Sequence, residues 1–416
     1  MPFDTGSQAL WNGLPGPRRL PFIPETPVKL TVKSTPEDFV VEEVLRLPLG
    51  AAGPFAVYQA TKRGLTTPEL QQRLAEQLGV SPRSLAFPAL KDKAAVTTQH
   101  FCFRGSGPQE LVGEGYSARL AGRSIRPLNP GDLLGNRFCI TLRGLTPDQA
   151  LALAQQLAEL AQEGLPNYFD QQRFGSYPPG GVFIGKAILQ GDAETALWAY
   201  LAQRAPGDSP AVRHFKAFAR DHWRDWPAMF EQAPRSNHRS LLTFLKDHPE
   251  DFRRAINLIT PRLLPLFLAA YQSFLWNRAV SRYLQVRLRD SPAQCANVPI
   301  AGEALLVYRS LPHALAQELA GLTLPLPHHQ MALSGSPLDA ALAQALEEEG
   351  LTASQLKPRL LQRAYLPKGR RAVVLVPQDA ATERADDPEA GTLLRVKFFL
   401  PPGSYATLVI KALAAT

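Results

Sequence analysis

The chain has 416 residues, 45% of them hydrophobic, and a formal net charge of +8. This apolar fraction supports a packed core and excludes a largely disordered chain, and the length suffices for two or three domains. The positive charge favours a polyanionic partner, whereas three widely spaced cysteines predict neither a disulfide framework nor a zinc site, as is typical of a reducing compartment.

The first part of the chain is predicted to form a sheet with two helices. Residues 1–26 are rich in proline and glycine and predict an extended arm. Helices are predicted at 67–79 and 146–164, where a capping residue and a proline precede the apolar pattern and a glycine follows it. Apolar alternation or short β-branched and aromatic runs predict strands at 28–33, 39–44, 54–60, 85–87, 98–103 and 137–142.

The middle of the chain has a different composition. Residues from about 177 to 365 are rich in Ala, Leu and Arg, and helical periodicities dominate, including a core helix predicted at 265–288. Alternation then returns, and strands are predicted at 372–376 and 393–400. Because strands lie at both ends, we expect one sheet domain with an insertion. The predicted domains are a discontinuous sheet domain, 1–176 and 366–416, and an inserted domain, 177–365.

One carboxylate stands out in the first part of the chain. Asp92 lies between Lys91 and Lys93, on a loop between predicted strands. Neighbouring cations favour the ionised form of a carboxylate, which then acts as an electrostatic anchor or as a nucleophile or base. A Lys-Asp-Lys segment alone is most often a solvated turn, so its interpretation depends on the other segments.

Three other segments, 33–39, 167–175 and 398–407, place phenylalanine beside turn residues. Together with the Asp92 loop they supply a carboxylate, cations, an amide and several rings, which suits an extruded nucleobase. Stacking is worth about 1–3 kcal/mol per base, so one or two rings would offset a flip that costs a few kcal/mol. From spacing alone, each ring is better explained as a core residue.

Four blocks, PEDFVVEE, LKDKAAVTTQ, NYFDQQRFG and FLPPGSYAT, resemble in this order the TruD family of RNA pseudouridine synthases. AAYQSFLWN and RRAVVLVP are also similar to parts of that family, and the blocks cover nearly the whole chain, 33–407. The resemblance implies an α+β fold. It consists of a pseudouridine synthase catalytic domain, with a mixed, largely antiparallel sheet flanked by helices, and an inserted α/β TRUD domain across a basic RNA cleft.

The resemblance also implies roles for individual residues. Asp92 would be the catalytic carboxylate. Ala89 stands where the family commonly has glycine, and Asp170 replaces the usual glycine after the NYF block, where it would add a negative charge near the RNA surface. The residues implied at the uridine pocket are Lys33, Phe39, Asn167, Phe169 and Phe399.

The implied reaction is the isomerisation of a uridine to pseudouridine in tRNA, at uridine 13 near the end of the D stem. It breaks the N1–C1′ bond, rotates the base and joins C5 to C1′. No electron or group is imported, so neither a cofactor nor a metal is expected. The carboxylate would act at C1′ or assist proton removal, and the sequence does not distinguish these two routes. No signal-peptide core or bilayer-length apolar run is evident, so we expect a cytoplasmic monomer without a protein partner.

Other functions stay open at this point. A non-catalytic RNA-binding or tRNA-folding protein would keep the same fold, whereas an Asp-dependent hydrolase lacks a supporting motif such as a second carboxylate with metal ligands. The histidines have no metal-ligand spacing. Four basic residues at helical spacing predict either a solvated face or a phosphate-tracking surface. They are Arg213, Lys216, Arg220 and Arg224.

Overall fold

The structure, a computed structural model, describes residue 30 and residues 32–387 and 391–415. The arm predicted at 1–26 lies outside the described residues, as does half of the strand predicted at 28–33. The described part of that segment, residues 30, 32 and 33, is not in a strand.

Strands occur throughout the described residues and are most frequent before residue 146 and after residue 369. They are β1 (Phe39–Leu45), β2 (Phe55–Arg63), β3 (Val96–Arg104), β4 (Glu110–Gly113), β5 (Tyr116–Ser124), β6 (Leu133–Leu145), β7 (Leu165–Pro166), β8 (Gln294–Ile300), β9 (Glu303–Arg309), β10 (Thr323–Pro325), β11 (Arg370–Ala372), β12 (Val374–Leu375), β13 (Gln378–Asp387) and β14 (Gly391–Leu400).

Helices dominate the region between β7 and β11. The helices of the described residues are α1 (Thr67–Leu78), α2 (Pro147–Glu163), α3 (Ile184–Gln190), α4 (Ala193–Leu201), α5 (Pro210–Asp221), α6 (Trp226–Gln232), α7 (Asn237–Asp247), α8 (Phe252–Ile256), α9 (Leu264–Arg287), α10 (His313–Ala320), α11 (Pro337–Glu348) and α12 (Ala406–Ala414). None of them is both long and apolar enough to cross a membrane.

Eight strands form one sheet in the order β13-β14-β6-β1-β3-β2-β5-β4. β1 and β3 are parallel, and the other neighbours are antiparallel. β13 and β14 come from the end of the chain and pair beside β6 from its first part. The predicted α+β fold, a mixed and largely antiparallel sheet flanked by helices, is therefore confirmed.

Helix α9 is the central element of the helical region. It is buried along most of its length, as expected for a helix that is apolar on nearly all sides. Its polar side chains hydrogen-bond to loops, since Gln272 donates to the carbonyls of Pro327 and Pro367 at 2.9 and 2.8 Å. The apolar core is continuous from this region to the sheet, and the division into two domains stays a prediction.

Two local predictions are wrong. The strand predicted at 85–87 is a single bridge between Ala86 and Cys102. The strand predicted at 372–376 is interrupted, because Val373 separates β11, which pairs with β10, from β12, which pairs with β7. At 370–375 the chain passes from one pairing partner to another, and apolar alternation does not record that change.

Candidate active site

The backbone of the Asp92 loop is fixed by side chains of the sheet and of α1. The Lys91 amide donates to Thr67 Oγ1 at 2.9 Å. The Lys62 ammonium, from β2, donates to the carbonyls of Asp92 and Leu65, both at 2.7 Å. The loop is therefore tied down on both sides of the carboxylate, so a rigid scaffold presents the reactive group.

Lys62 is an unusual residue for this task because it is only 1% exposed. Burial lowers the pKa of Lys62 to about 8, although the nearby charge of Asp92 opposes that shift. At neutral pH most of the lysine remains protonated. Its two hydrogen bonds to backbone carbonyls are then charge-assisted, and such bonds are stronger than neutral ones.

The carboxylate of Asp92 forms an ion pair with Lys33, whose Nζ lies 3.1 Å from Oδ2. Gln172 Nε2 lies 3.4 Å from the same oxygen. The Lys33 ammonium also lies 4.0 Å from the centre of the Phe39 ring, and the Lys33 backbone is in the left-handed region, with φ 65°. That conformation costs about 1–2 kcal/mol for a residue with a β-carbon, and such strain is found preferentially at functional sites.

The two lysines that flank Asp92 in sequence contact other carboxylates. Lys91 turns toward the sheet and pairs with buried Glu43, Nζ to Oε1 at 2.9 Å. Lys93 pairs with Glu69 at 3.2 Å on the surface. Among the described residues, the cation that pairs with the Asp92 carboxylate is therefore Lys33, which precedes it by 59 residues.

A cavity of about 180 Å³ opens beside Asp92. A cavity of about 150 Å³ holds a benzene molecule, so this one has room for a single pyrimidine ring. Its aromatic lining residues include Phe39 and Phe138, whose ring centres are 6.2 Å apart in an edge-on arrangement. The side chain of Asp92 is 41% exposed, so a substrate can reach it from solvent. The lining residues are Phe39, Val41, Leu90, Lys91, Asp92, Thr97, Asn136, Phe138, Gln172 and residues 404–407.

Asn167 does not line this cavity, and both ends of its amide are hydrogen-bonded within the protein. Nδ2 donates to the Ala372 carbonyl at 3.1 Å, and Oδ1 accepts from Arg371 at 2.6 Å. Arg371 also donates to the Gly403 carbonyl at 2.9 Å. Asn167, which the resemblance implies at the uridine pocket, therefore helps to hold the NYF block against the loop at 401–405.

Phe169 lies behind the cavity wall and is 8% exposed. Its ring packs edge-on against Tyr405 at 6.4 Å, and Tyr405 itself lines the cavity. Arg371 lies over the ring at 4.2 Å. Asn277 of α9 accepts from the Phe169 amide and donates to its carbonyl, both at 2.8 Å. Helix α9 thus positions this block from behind.

Phe399 lies on the opposite face of the sheet from the cavity. In β14 it pairs with Arg137, whereas Phe398 pairs with Phe138, and successive side chains of a strand point to opposite faces. The Phe398 ring is 5.6 Å from that of Phe138. The structure brings Asp92, Lys33 and Phe39 together and places Phe399 apart from them, with its ring against Gly135.

The expectation for Asp170 is wrong. Its carboxylate is buried, 1% exposed, and is not displayed toward an RNA surface. It accepts from the Gln171 amide at 2.7 Å, and it bonds to Thr407 and to Lys411 of α12. The negative charge is therefore neutralised inside the protein, where it joins the NYF block to the last helix.

The basic face predicted around 213–224 does not form as one helical surface. α5 ends at Asp221, before Arg224. Three of the four basic residues pair with carboxylates: Lys216 with Asp208 at 3.0 Å, Arg220 with Asp221 at 3.3 Å and Arg224 with Glu194 at 2.8 Å.

Within the described residues, no group of three or more side chains that could together hold a metal ion occurs.

Comparisons with known proteins decide the family. The sequence model of tRNA pseudouridine synthase D (TruD) matches residues 22–413. The chain belongs to the TruD family. A crystal structure of a TruD protein from Methanosarcina mazei superposes with a TM-score of 0.73 at 25% identity, covering 94% of each chain.

Curated relatives match over similar lengths. The tRNA pseudouridine synthase D of Aquifex aeolicus is 26% identical over 391 residues, 92% of this chain and 98% of its own. A Methanopyrus kandleri protein that carries the same family name is 30% identical over 381 residues, 89% of this chain and 88% of its own. Membership makes the chain an isomerase of the tRNA pseudouridine synthase class.

Proposed function

We propose that this protein converts one uridine of tRNA to pseudouridine, with Asp92 as the catalytic carboxylate and uridine 13 near the D-stem end as the target. The observation that carries the proposal is the position of Asp92. It lies at the mouth of a ring-sized cavity, paired with Lys33 at 3.1 Å. TruD relatives named for this activity match nearly the whole chain.

In this proposal the cavity binds the base, and the Asp92 carboxylate acts at the ribose. The extruded uracil enters the cavity and lies beside the rings of Phe39 and Phe138. Its ribose C1′ then lies at the cavity mouth, where Asp92 attacks C1′ or assists proton removal. Lys33 holds the carboxylate in place, because the two opposite charges attract at this distance.

The remaining predicted site residues have supporting roles in this proposal. Asn167 and Phe169 position the loop at 404–407 through Arg371 and Tyr405, so they act on the cavity from behind. Phe399 packs on the opposite face of β14 from Phe398, whose ring contacts the cavity residue Phe138. We expect the enzyme to act as a cytoplasmic monomer on tRNA without a cofactor.

The test uses tRNA transcripts that carry tritium at C5 of every uridine. Joining C5 to C1′ replaces the C5 hydrogen, so the purified protein should release tritium into water. Sequencing of the product should then show one new pseudouridine at position 13. Modification at another position would refute the target. RNA binding without tritium release from any tRNA would refute the reaction and indicate a tRNA-folding protein.

A further inference from the structure

The cavity beside Asp92 is also lined by an amide that is held in one orientation. This amide belongs to Asn136 of β6, and its Oδ1 accepts a hydrogen bond from Lys91 Nζ at 2.7 Å. An ammonium group only donates, so this bond fixes the amide oxygen toward Lys91 and turns the NH₂ group away. Among the residues that the structure describes, the NH₂ group has no partner, so it is available to a ligand.

Lys91 is a rigid anchor for this amide. Its side chain is 8% exposed, and it pairs with the fully buried carboxylate of Glu43 at 2.9 Å. The other Glu43 oxygen accepts from the His100 amide at 2.8 Å. Burial by itself raises the pKa of Glu43, but hydrogen bonds from His100 and the charge of Lys91 outweigh it and hold that pKa below its usual value. The amide orientation thus rests on a charged pair inside the sheet.

An independent observation at the same cavity also indicates a ligand. Thr97 of β3 lines the cavity and is 0% exposed. Its hydroxyl has no hydrogen-bond partner in the described part of the chain. Buried hydroxyl groups are nearly always paired, because an unpaired one has lost water without replacement. A bound base would supply the missing partner.

We propose that Asn136 donates a hydrogen bond to O4 of the substrate base and so helps to select uracil. This inference rests on the proposed function and names a specificity-determining residue for it. The pairing edge of uracil presents carbonyl oxygens on both sides of an N–H group, so the Thr97 hydroxyl would accept from that N–H. Cytosine carries an amino donor in place of one carbonyl oxygen, and a donor would then face a donor.

Lys91 acts in this proposal as a positioning residue. Without its ammonium, the Asn136 amide is free to turn over and present its oxygen to the base. The catalytic loop therefore contributes twice to the site. Asp92 supplies the carboxylate, and the preceding residue orients the amide that recognises the base.

The test combines a protein change with a substrate change. Asn136→Asp keeps an acceptor for Lys91 and removes the donor. The substrates are tRNA transcripts with uridine, 2-thiouridine or 4-thiouridine at the modified position, since sulfur is a weak acceptor. We expect Asn136→Asp, and 4-thiouridine in the wild-type enzyme, each to lower kcat/KM about tenfold, as for one lost hydrogen bond.

The decisive comparison is the variant with that thio substrate. If Asn136 contacts the substituted oxygen, the combination should be no slower than Asn136→Asp on uridine. Three outcomes would overturn the inference: losses that multiply, a wild-type enzyme indifferent to 4-thiouridine, or full activity of Asn136→Asp. A wild-type enzyme that modifies no tRNA refutes the proposed function instead, so the two failures are distinguishable.

Two further variants serve as controls for the effect of a substitution on folding. Asn297→Asp makes the same change at an exposed strand position of β8 and should leave kcat/KM unchanged. Thr97→Val removes the unpaired hydroxyl at nearly constant shape, so it should melt no lower than wild type while kcat/KM falls several-fold. Unchanged kcat/KM in Thr97→Val would contradict the proposed contact with the N–H of the base.

Discussion

The substitution Lys62→Met separates the role of a buried cation in activity from its role in stability. Lys62 donates to the carbonyl of Asp92 at 2.7 Å and to that of Leu65 at the same distance. Methionine has nearly the same length and shape but no donor. Both carbonyls would lose their partner while the apolar contacts of the side chain remain.

Two contributions to stability oppose each other. Hydrogen bonds to charged groups contribute about 1.5–3 kcal/mol each, and both are lost. Against this, a pKa lowered from 10.5 to about 8 means that burying the charge costs about 3 kcal/mol, at about 1.4 kcal/mol per pKa unit. The free energy of unfolding near pH 7 should therefore fall by less than about 3 kcal/mol.

Activity should fall by more than this stability change explains. Displacement of a reacting group by about 1 Å lowers a rate by about a hundredfold, and Lys62 holds the residue that carries the carboxylate. We expect a drop in kcat of that order, measured by tritium release at a temperature where circular dichroism shows both proteins folded. Wild-type kcat in Lys62→Met would refute the positioning role.

The pH dependence provides a second readout. Below pH 8 Lys62 is protonated in both the folded and the unfolded state, and above pH 10.5 it is neutral in both. Between these values the unfolded state binds more protons, so stability rises with pH. Across this window wild type should gain about 3 kcal/mol relative to Lys62→Met. Urea unfolding at pH 7.5 and 10 measures this difference, and parallel pH profiles would contradict the account.

Two further substitutions test the supports of the cavity. Gly135→Ala places a β-carbon against the Phe399 ring and the β14 backbone, so it should lower the unfolding free energy by about 1–3 kcal/mol; an unchanged urea midpoint would contradict this packing. Arg371→Met removes the hydrogen bonds to Asn167 that join two blocks of the site. It should lower the unfolding free energy by about 3 kcal/mol and also lower kcat/KM. The exposed neighbour Arg370→Met is its control, and equal losses in the two variants would argue against a specific role.

The sheet was largely predictable because most strands bury one face. Apolar alternation located the strands at 39–44, 98–103, 137–142 and 393–400 within a few residues of their observed bounds. β4, β5 and β13 were not predicted, because β4 has only four residues and charged and small residues interrupt the alternation of the other two. Tertiary pairing, and not local pattern, makes those segments strands.

Residues of the candidate site were predictable only where their own sequence segment identifies them. Asp92 and Phe39 were identified from their own blocks, and the structure places both at the cavity. The face of Phe399 was not predictable, because Phe398 and Phe399 are adjacent and only the pairing of β14 with β6 decides which ring lies on the cavity side of the sheet. Asn136 was missed for a similar reason, since its orientation depends on Lys91, 45 residues earlier in the chain.

The most direct test of the account is single-turnover tritium release by Asp92→Asn from C5-labelled tRNA. Asparagine keeps the size of the side chain and removes its charge and nucleophile. We predict no measurable release from a protein that melts like wild type, whereas Asp148→Asn, the same change at an exposed position of α2, should retain full activity. Release by Asp92→Asn within about tenfold of wild type, a rate difference worth only about 1.4 kcal/mol, would contradict the claim that this carboxylate performs the reaction.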